Sequence, residues 1–580
     1  MKKGVDLANL RHSLAHLLAA AVLELYPGTK NTIGPAIEDG FYYDFEFGSP
    51  ISDKDLPKIE KKMKEILKKW DKFSHEEKNE KEARNFFKDN AYKLELIDEI
   101  KEKKENITFY ACGEFVDLCR GGHVESPSKE INPDAFKLDR IAGAYWRGDE
   151  KNKMLTRIYG LAFETKAELE AYTKQREEAE KRDHKKLGKE LDLFTFSDLV
   201  GAGLPLWTPK GTLMRHLLDD YVWNLRKAYG YERVEIPHIT KKQLYETSGH
   251  WDKFQDQLFH IKTREGHEFV LKPMNCPHHT QIFARRPHSY RDMPQRYANT
   301  TMQYRDEQSG ELSGLSRVRS ISIDDAHVFC RNDQIEREIG NIWNIVDEFY
   351  GVFGFGLEVR LSLRDPKTPE KYLGLPEYWE KAEKILRDIA KKRKVKTIEG
   401  IGEAAFYGPK IDFIAKDSLG REWQVATIQL DFNQPKRFGL YFTTEKGTQE
   451  LVIMIHAAIM GSLERFMSIL IEHYAGAFPL WLSPVQVRVL PIGEAHLEYS
   501  REIFEALKNE NIRVELDESN ETLGKKIRNG KTEKIPYLVV LGDKEKESKT
   551  LTAEGRTEKL ENISLEKFMA RLKEEIKNKK

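Results

Sequence analysis

An α+β fold divided into several domains is what this sequence predicts, and three observations carry that expectation. The chain has 580 residues, room for roughly four domains that each bury a core of their own. Its middle, residues 191–480, holds strand-like apolar runs: GLEVRLSLR, KIDFIAKD, REWQVATIQLDF and LVIMIHAA. From Leu482 onward the pattern changes to alternation. VQVRVLPIG reads as a strand, EYSREIFEALKNENI as a helix, RVELDE and IPYLVVLGD as strands and SLEKFMARLKEEIKNKK as a terminal helix, the signature of an α/β sheet domain.

Composition limits what such a chain does. Lysine plus arginine balance aspartate plus glutamate at 95 each, so no global basic field announces a nucleic-acid partner and any RNA surface is local. Four cysteines, Cys112, Cys119, Cys276 and Cys330, are too few for a disulfide scaffold and point to a reducing compartment. Met1-Lys2-Lys3 followed by Leu17–Leu25 imitates a secretory leader, but Asp6, Arg11, His12, His16 and Glu24 interrupt it. No apolar stretch is long enough to span a bilayer, so a soluble cytoplasmic protein with no membrane partner is expected.

In chain order, Leu7, Leu10, Leu14, Leu17, Leu18, Val22 and Leu25 recur at helical spacing until Pro27-Gly28 ends the pattern. His12 and His16 share one face of that helix, the geometry of a metal site or an acid/base pair; a bare HxxxH is more commonly two ordinary helix histidines. Cys119 and His123 then add a CxxxH in a glycine-rich turn, and two such pairs in one region are harder to ascribe to chance. Residues 54–106 read as Lys/Glu-rich amphipathic helices and residues 166–190 as a solvated linker helix. Pro209–Ile239 predicts a long amphipathic helix, a glycine turn and a strand closed by Pro237.

The densest chemistry lies in Gln303–Cys330, a hairpin loaded with charge. Arg305, Arg317 and Arg319 suit a polyphosphate, because a guanidinium meets phosphate oxygens bidentately and keeps its proton. Glu307, two residues after Arg305 and so expected on the same strand face, suits an exocyclic amine such as adenine's. A surface hairpin laced with salt bridges is the rival reading. GSLERF at Gly461–Phe466 tips the balance.

Those two stretches resemble motifs 2 and 3 of the class II aminoacyl-tRNA synthetases, and DDAHVFC, KPMNCPHH and IHAAIMGSLERF are similar to the threonyl-tRNA synthetases within that class. The resemblance implies an antiparallel-sheet catalytic core of the class II synthetase type at 191–480. It implies an N-terminal α+β editing domain at 1–165, the linker at 166–190 and a C-terminal α/β anticodon-binding domain at 481–580. The ubiquitin-like module that usually precedes the editing domain is not expected, since Leu10 already falls in the latter. The implied activity is ATP-dependent attachment of L-threonine to tRNA(Thr) through threonyl-adenylate, with hydrolytic editing of mischarged seryl-tRNA(Thr). Pro209–Ile239 corresponds to motif 1, which implies a homodimer.

Residue roles follow from the same resemblance. Arg305 is expected at the ATP α-phosphate, Glu307 at the adenine amine, Arg317 in the ATP site and Arg465 at the far phosphates or the adenine face, with Mg²⁺ bridging phosphates. Spacing alone leaves Cys276, His327 and His456 unrelated; the resemblance joins them as ligands of one Zn²⁺ per subunit. Asp325 is expected to hold the threonine hydroxyl, with Tyr407 and Gln429 lining the amino-acid pocket. His250 is expected to assist deprotonation of the terminal ribose, against the plainer role of a helix-start histidine. His12, His16, Cys119 and His123 form the implied editing site, and Glu521, Lys526 and Arg528 the anticodon contacts. Departures are Ile321 in place of an adenine-stacking Phe, Ile323 in place of a Gln, Ser519 where Arg is common, and LTAEGR where VRTR is typical. The two isoleucines raise the alternative of a catalytically silent RNA-binding relative, which the retained arginines and ligand candidates oppose.

Overall fold

The structure, a computed structural model, describes residues 6–580; residues 1–5, where the Met1-Lys2-Lys3 start falls, lie outside the described residues. Two compact units divide between Glu177 and Glu178. In the first, helix α1 (Leu7–Leu25) is the one that the leucine spacing predicts, capped by Asp6, which accepts from the Ala8 amide at 3.0 Å. Its Leu10, Leu14, Leu17, Leu18 and Val22 share a core with Phe41, Phe45 and Ile158. Each such aliphatic side chain contributes about 1.5–3 kcal/mol when buried, so packing rather than propensity holds α1 in place. A five-stranded antiparallel sheet, with Gly40–Glu46, Met154–Ala162 and Phe136–Tyr145 as its longer strands, completes this core. A three-stranded sheet ends in Phe115–Leu118 and runs directly into Cys119.

The second unit is built on an eight-stranded sheet. Its six inner strands are antiparallel, in the order β1 (Gln295–Tyr304), β2 (Ser320–Cys330), β6 (Ile453–Ser462), β5 (Glu422–Asp431), β4 (Lys410–Lys416) and β3 (Leu357–Leu363). Short strands pair in parallel at both edges. Alternation along β2 puts Ser322, Asp324, Ala326, Val328 and Cys330 on one face and Ile321, Ile323, Asp325 and His327 on the other. Ala326, Val328 and Cys330 join the large core formed with helix Ile335–Phe353, leaving the opposite face for the site. The same unit ends in a five-stranded sheet, two parallel pairs followed by two antiparallel ones, with a core of Val487, Val489, Ile503, Leu507, Val539 and Phe568.

Two local expectations change. Residues 166–190 form two helices rather than one, Lys166–Arg182 and α2 (His184–Glu190), because Asp183 leaves helical geometry and caps the second through the Lys185 amide. Only Leu169 is buried in the first, whereas His184, Leu187 and Gly188 are buried in the second, so α2 is packed rather than solvated. Strand β1 stops at Tyr304, which places Arg305 and Glu307 in the loop beyond it instead of on a strand face. No helix among the described residues is long and apolar enough to cross a membrane.

Candidate active site

Sheet register assembles the first part of the site. His327 on β2 lies directly opposite His456 on β6, and His456 lies opposite Gln429 on β5. Cys276 joins them from the first position of helix α3 (Cys276–Ala284), where Pro277 fits the helix start. The three candidate donor atoms lie within 4.8 Å of one another, with His327 Nε2 and His456 Nδ1 3.1 Å apart. Two nitrogens on a tetrahedral zinc sit about 3.3 Å apart, so the spacing fits.

Residues that sequence reasoning missed aim these rings. Asp431, held by the Asn433 and Gln434 amides at 2.6 and 3.0 Å, accepts from His456 Nε2 at 3.0 Å, which leaves Nδ1 as the lone pair facing the cluster. His279 Nδ1 lies 2.8 Å from His327 Nδ1 and turns Nε2 inward. The second histidine of KPMNCPHH and the Asp of QLDF were the available signals. Burial pushes the Cys276 thiol well above its usual range and His327 well below, which favours the neutral form of both groups.

A cavity of about 680 Å³ lies along the same face and is lined by Arg305, Glu307, Ser316, Arg317, Ile321, Ile323, Thr427 and Arg465. Arg305 Nε is buried without a hydrogen-bond partner, and burial lowers the guanidinium's affinity for its proton. Glu307 is 7% exposed and accepts from Arg317 Nε and Nη2 at 2.8 and 2.7 Å. Arg465 sits in the first turn of helix α4 (Leu463–His473), where the Ser462 hydroxyl accepts its amide at 3.2 Å, and its guanidinium lies 5.8 Å from the Trp423 ring. Two sheet strands tie the cavity to the metal-ligand cluster. Thr427 lines the cavity and Gln429 faces His456 on β5, while Ile321 and Ile323 precede Asp325 and His327 on β2.

Between cavity and cluster, burial raises Asp325 to about 6, and Asn275 donates to it at 3.1 Å. Tyr407 is buried, its ring 5.0 Å from His456 and 5.9 Å from His250. Gln429 Nε2 donates to the Gly408 carbonyl at 3.2 Å. His250 does start a short helix, yet it is wholly buried, lies 2.8 Å from Ser248 Oγ and 3.7 Å from Cys276 Sγ, and is lowered by burial to about 3.

The first unit brings its four candidates together. Cys119 Sγ lies 3.6 Å from His12 Nε2 and 3.3 Å from His123 Nε2, and the His16 ring centroid is 4.6 Å from that of His123. The Gly122 carbonyl and Ser13 hydroxyl hold the other nitrogens of His12 and His123. Burial lowers His12, takes His16 well below its ordinary value and His123 to about 2, and raises Cys119 to about 11. Beneath them Lys93 pairs with Asp117 at 2.5 Å, both 1% exposed. Of the three anticodon candidates, Glu521 and Arg528 are exposed, whereas Lys526 is 4% exposed and donates to the Pro491 and Asp517 carbonyls, so it is a structural lysine rather than a surface contact.

Residues 259–474 match the tRNA synthetase class II core domain (G, H, P, S and T), residues 486–575 an anticodon binding domain, and residues 107–159 the threonyl and alanyl tRNA synthetase second additional domain. The threonine–tRNA ligase of Rubrobacter xylanophilus is 49% identical over 572 residues, covering 98% of this chain and 88% of the relative; that of Acetivibrio thermocellus is 47% identical over the same length with the same coverage. A solved structure described as the RNA binding domain of threonyl-tRNA synthetase from Cryptosporidium parvum Iowa II aligns with a TM-score of 0.65 at 35% identity, covering 68% of this chain and 98% of that one. With identities of this size over nearly the whole chain, and with the core, anticodon-binding and second additional domains all present, the chain belongs to the threonine–tRNA ligases, class II aminoacyl-tRNA synthetases that charge tRNA with threonine.

Proposed function

We propose that residues 191–480 activate L-threonine with Mg²⁺-ATP and transfer it to tRNA(Thr), and that residues 1–165 hydrolyse mischarged seryl-tRNA(Thr). One observation carries the first half: a single face of β2 and β5 runs from an arginine-lined cavity to a Cys/His/His cluster. Arg305 and Arg465 are placed to hold the α-phosphate and the far phosphates of ATP, so that the threonine carboxylate displaces pyrophosphate and forms threonyl-adenylate. Glu307 offers a carboxylate to the adenine amine, with Arg317 beside it. The terminal tRNA hydroxyl then attacks the adenylate carbonyl and releases AMP; His250, neutral and buried, assists removal of that proton.

Cys276, His327 and His456 would hold Zn²⁺, which when bound supplies an open coordination position for the substrate amine and hydroxyl. Asp325 would accept from the threonine hydroxyl, with Tyr407 and Gln429 closing the pocket. A pocket that hydrogen-bonds a hydroxyl rejects an isostere lacking it by roughly 10⁴–10⁵, whereas one missing methyl costs only about 10–200-fold, so valine is refused and serine is not. That deficit is the reason for the second site. There the neutral rings of His12, His16 and His123 around Cys119 are arranged to take a proton from water attacking the seryl ester, releasing serine and intact tRNA.

The chain is further proposed to act as a cytoplasmic homodimer, with 481–580, including exposed Glu521 and Arg528, reading the anticodon. Exposed apolar side chains at Phe196, Leu199, Val200 and Leu206, close in sequence to the motif 1 helix Pro209–Ala228, support the dimer; four free cysteines support a reducing compartment. ATP–pyrophosphate exchange across the amino acids tests the activation step. Threonine should support rapid exchange, serine weak exchange and valine none; equal exchange with valine and threonine would overturn the pocket.

Ile321 offers a finer test. It is 9% exposed and forms part of the cavity wall. Isoleucine covers adenine without offering a π-face, and an aromatic contact adds about 0.5–1.5 kcal/mol beyond area. Ile321→Phe should therefore lower KM for ATP by roughly two- to tenfold and leave KM for threonine unchanged, read from exchange kinetics with each substrate varied in turn. A raised KM for ATP would mean that the wall is shaped around isoleucine.

A further inference from the structure

Helix α2 is charge-dense in sequence, yet its first residue, His184, is only 3% exposed. Its ring joins two parts of the second unit that border the cavity. Nδ1 lies 2.6 Å from Glu472 Oε1, near the end of α4, and Nε2 lies 3.0 Å from the Leu315 amide. A backbone N–H only donates, so Nε2 carries the lone pair and Nδ1 the proton, which the Glu472 carboxylate accepts. Glu472 is itself fixed by the His184 amide at 3.2 Å and by Arg421 at 2.5 Å.

Leu315 belongs to the turn Gly314-Leu315-Ser316-Arg317, whose last two residues line the cavity. Gly314 has φ +50°, and a Cβ there would meet His184 Nε2 at 2.3 Å, so the turn approaches the ring this closely only because residue 314 lacks a side chain. Ser316 Oγ then meets Ser468 Oγ on α4 at 3.1 Å.

We infer that His184 is a positioning residue of the nucleotide site: its imidazole ties the 314–317 turn to α4 and so sets where Ser316 and Arg317 line the ATP cavity. This rests on the reading of the cavity as the ATP site. The alternative is a buried histidine that serves only to pack α2.

Two substitutions separate the ring's two bonds. His184→Asn keeps a donor near Glu472 and loses the acceptor for Leu315; His184→Gln reaches the Leu315 amide and gives up the Glu472 contact. In ATP–pyrophosphate exchange, His184→Asn should raise KM for ATP by roughly 5- to 150-fold with KM for threonine unchanged, the range expected when a buried donor loses its acceptor. His184→Gln should fall nearer the parent, and Gly314→Ala should reproduce the Asn phenotype by pushing the ring away. The inference is overturned if His184→Asn has the parent's KM for ATP, or if both KM values and the melting temperature shift together in every variant.

Hydrogen exchange on the unaltered protein supplies a measurement that needs no variant to fold. The peptide containing Leu315 should be protected like the adjoining strand β2 in the absence of ATP, and immediate exchange there overturns the proposal. Arg305→Ala separates the two levels of argument. A raised KM for ATP in that variant beside an inert His184→Asn removes only the positioning role, whereas an unchanged KM in Arg305→Ala removes the cavity reading and the inference with it.

Discussion

Cys276→Ser should lose bound zinc and threonine activation together. A serine hydroxyl does not ionise as a thiol does, and zinc then keeps only two imidazoles of a three-ligand set. Replacing mere outer partners of metal ligands costs about 10–100-fold, so losing a ligand should reduce threonine-dependent exchange by more than about 10²-fold. Metal analysis should fall from one zinc per chain to none. Protonation adds a signature: the Cys276 thiol is held above its ordinary range, so capture of the ion expels its proton and the affinity of the stripped protein should rise with pH. Active protein without zinc, or a Cys276→Ser variant that retains both metal and activity, would refute the assignment.

The double substitution His12→Ala with His16→Ala should leave threonine charging intact and allow seryl-tRNA to accumulate. Both rings lie in the first compact unit, while the exchange chemistry is assigned to residues of the second. Positioned general acid–base groups typically contribute about 10²–10⁴, so clearance of preformed seryl-tRNA should slow by at least about 10²-fold. A double mutant that clears seryl-tRNA at the parent rate would make the HxxxH pair structural, whatever its proximity to Cys119.

Much of this was legible in the sequence, but unevenly. Helix α1 announced itself because seven aliphatic residues at one spacing leave few alternatives, and HxxxH with CxxxH converged because each pair brings its own local geometry. Arg305 and Glu307 were found as residues and misplaced as structure, since two residues of strand continuation look the same as two residues of loop until the partner strand ends. His184 and Lys526 were hidden for another reason. Each sits in a charge-rich helix whose buried side is chosen by its neighbours, and neither ring nor ammonium betrays from spacing that it will face backbone amides or carbonyls. His279 and Asp431 act through other residues, so the motifs that contain them, KPMNCPHH and QLDF, do not by themselves reveal their role.

Strand β2 also serves as a ruler. Each residue advances the chain by about 3.4 Å and reverses the side-chain direction, so the wall at Ile321 and Ile323 and the ligand at His327 are kept in phase by count alone. Changing a letter in Ser320–His327 alters one contact, as the two isoleucines show. Inserting or deleting a single residue there would turn either the nucleotide wall or His327 into the face occupied by Ala326, Val328 and Cys330. At the wall positions Ile321 and Ile323 this segment is therefore held to its length more tightly than to its composition.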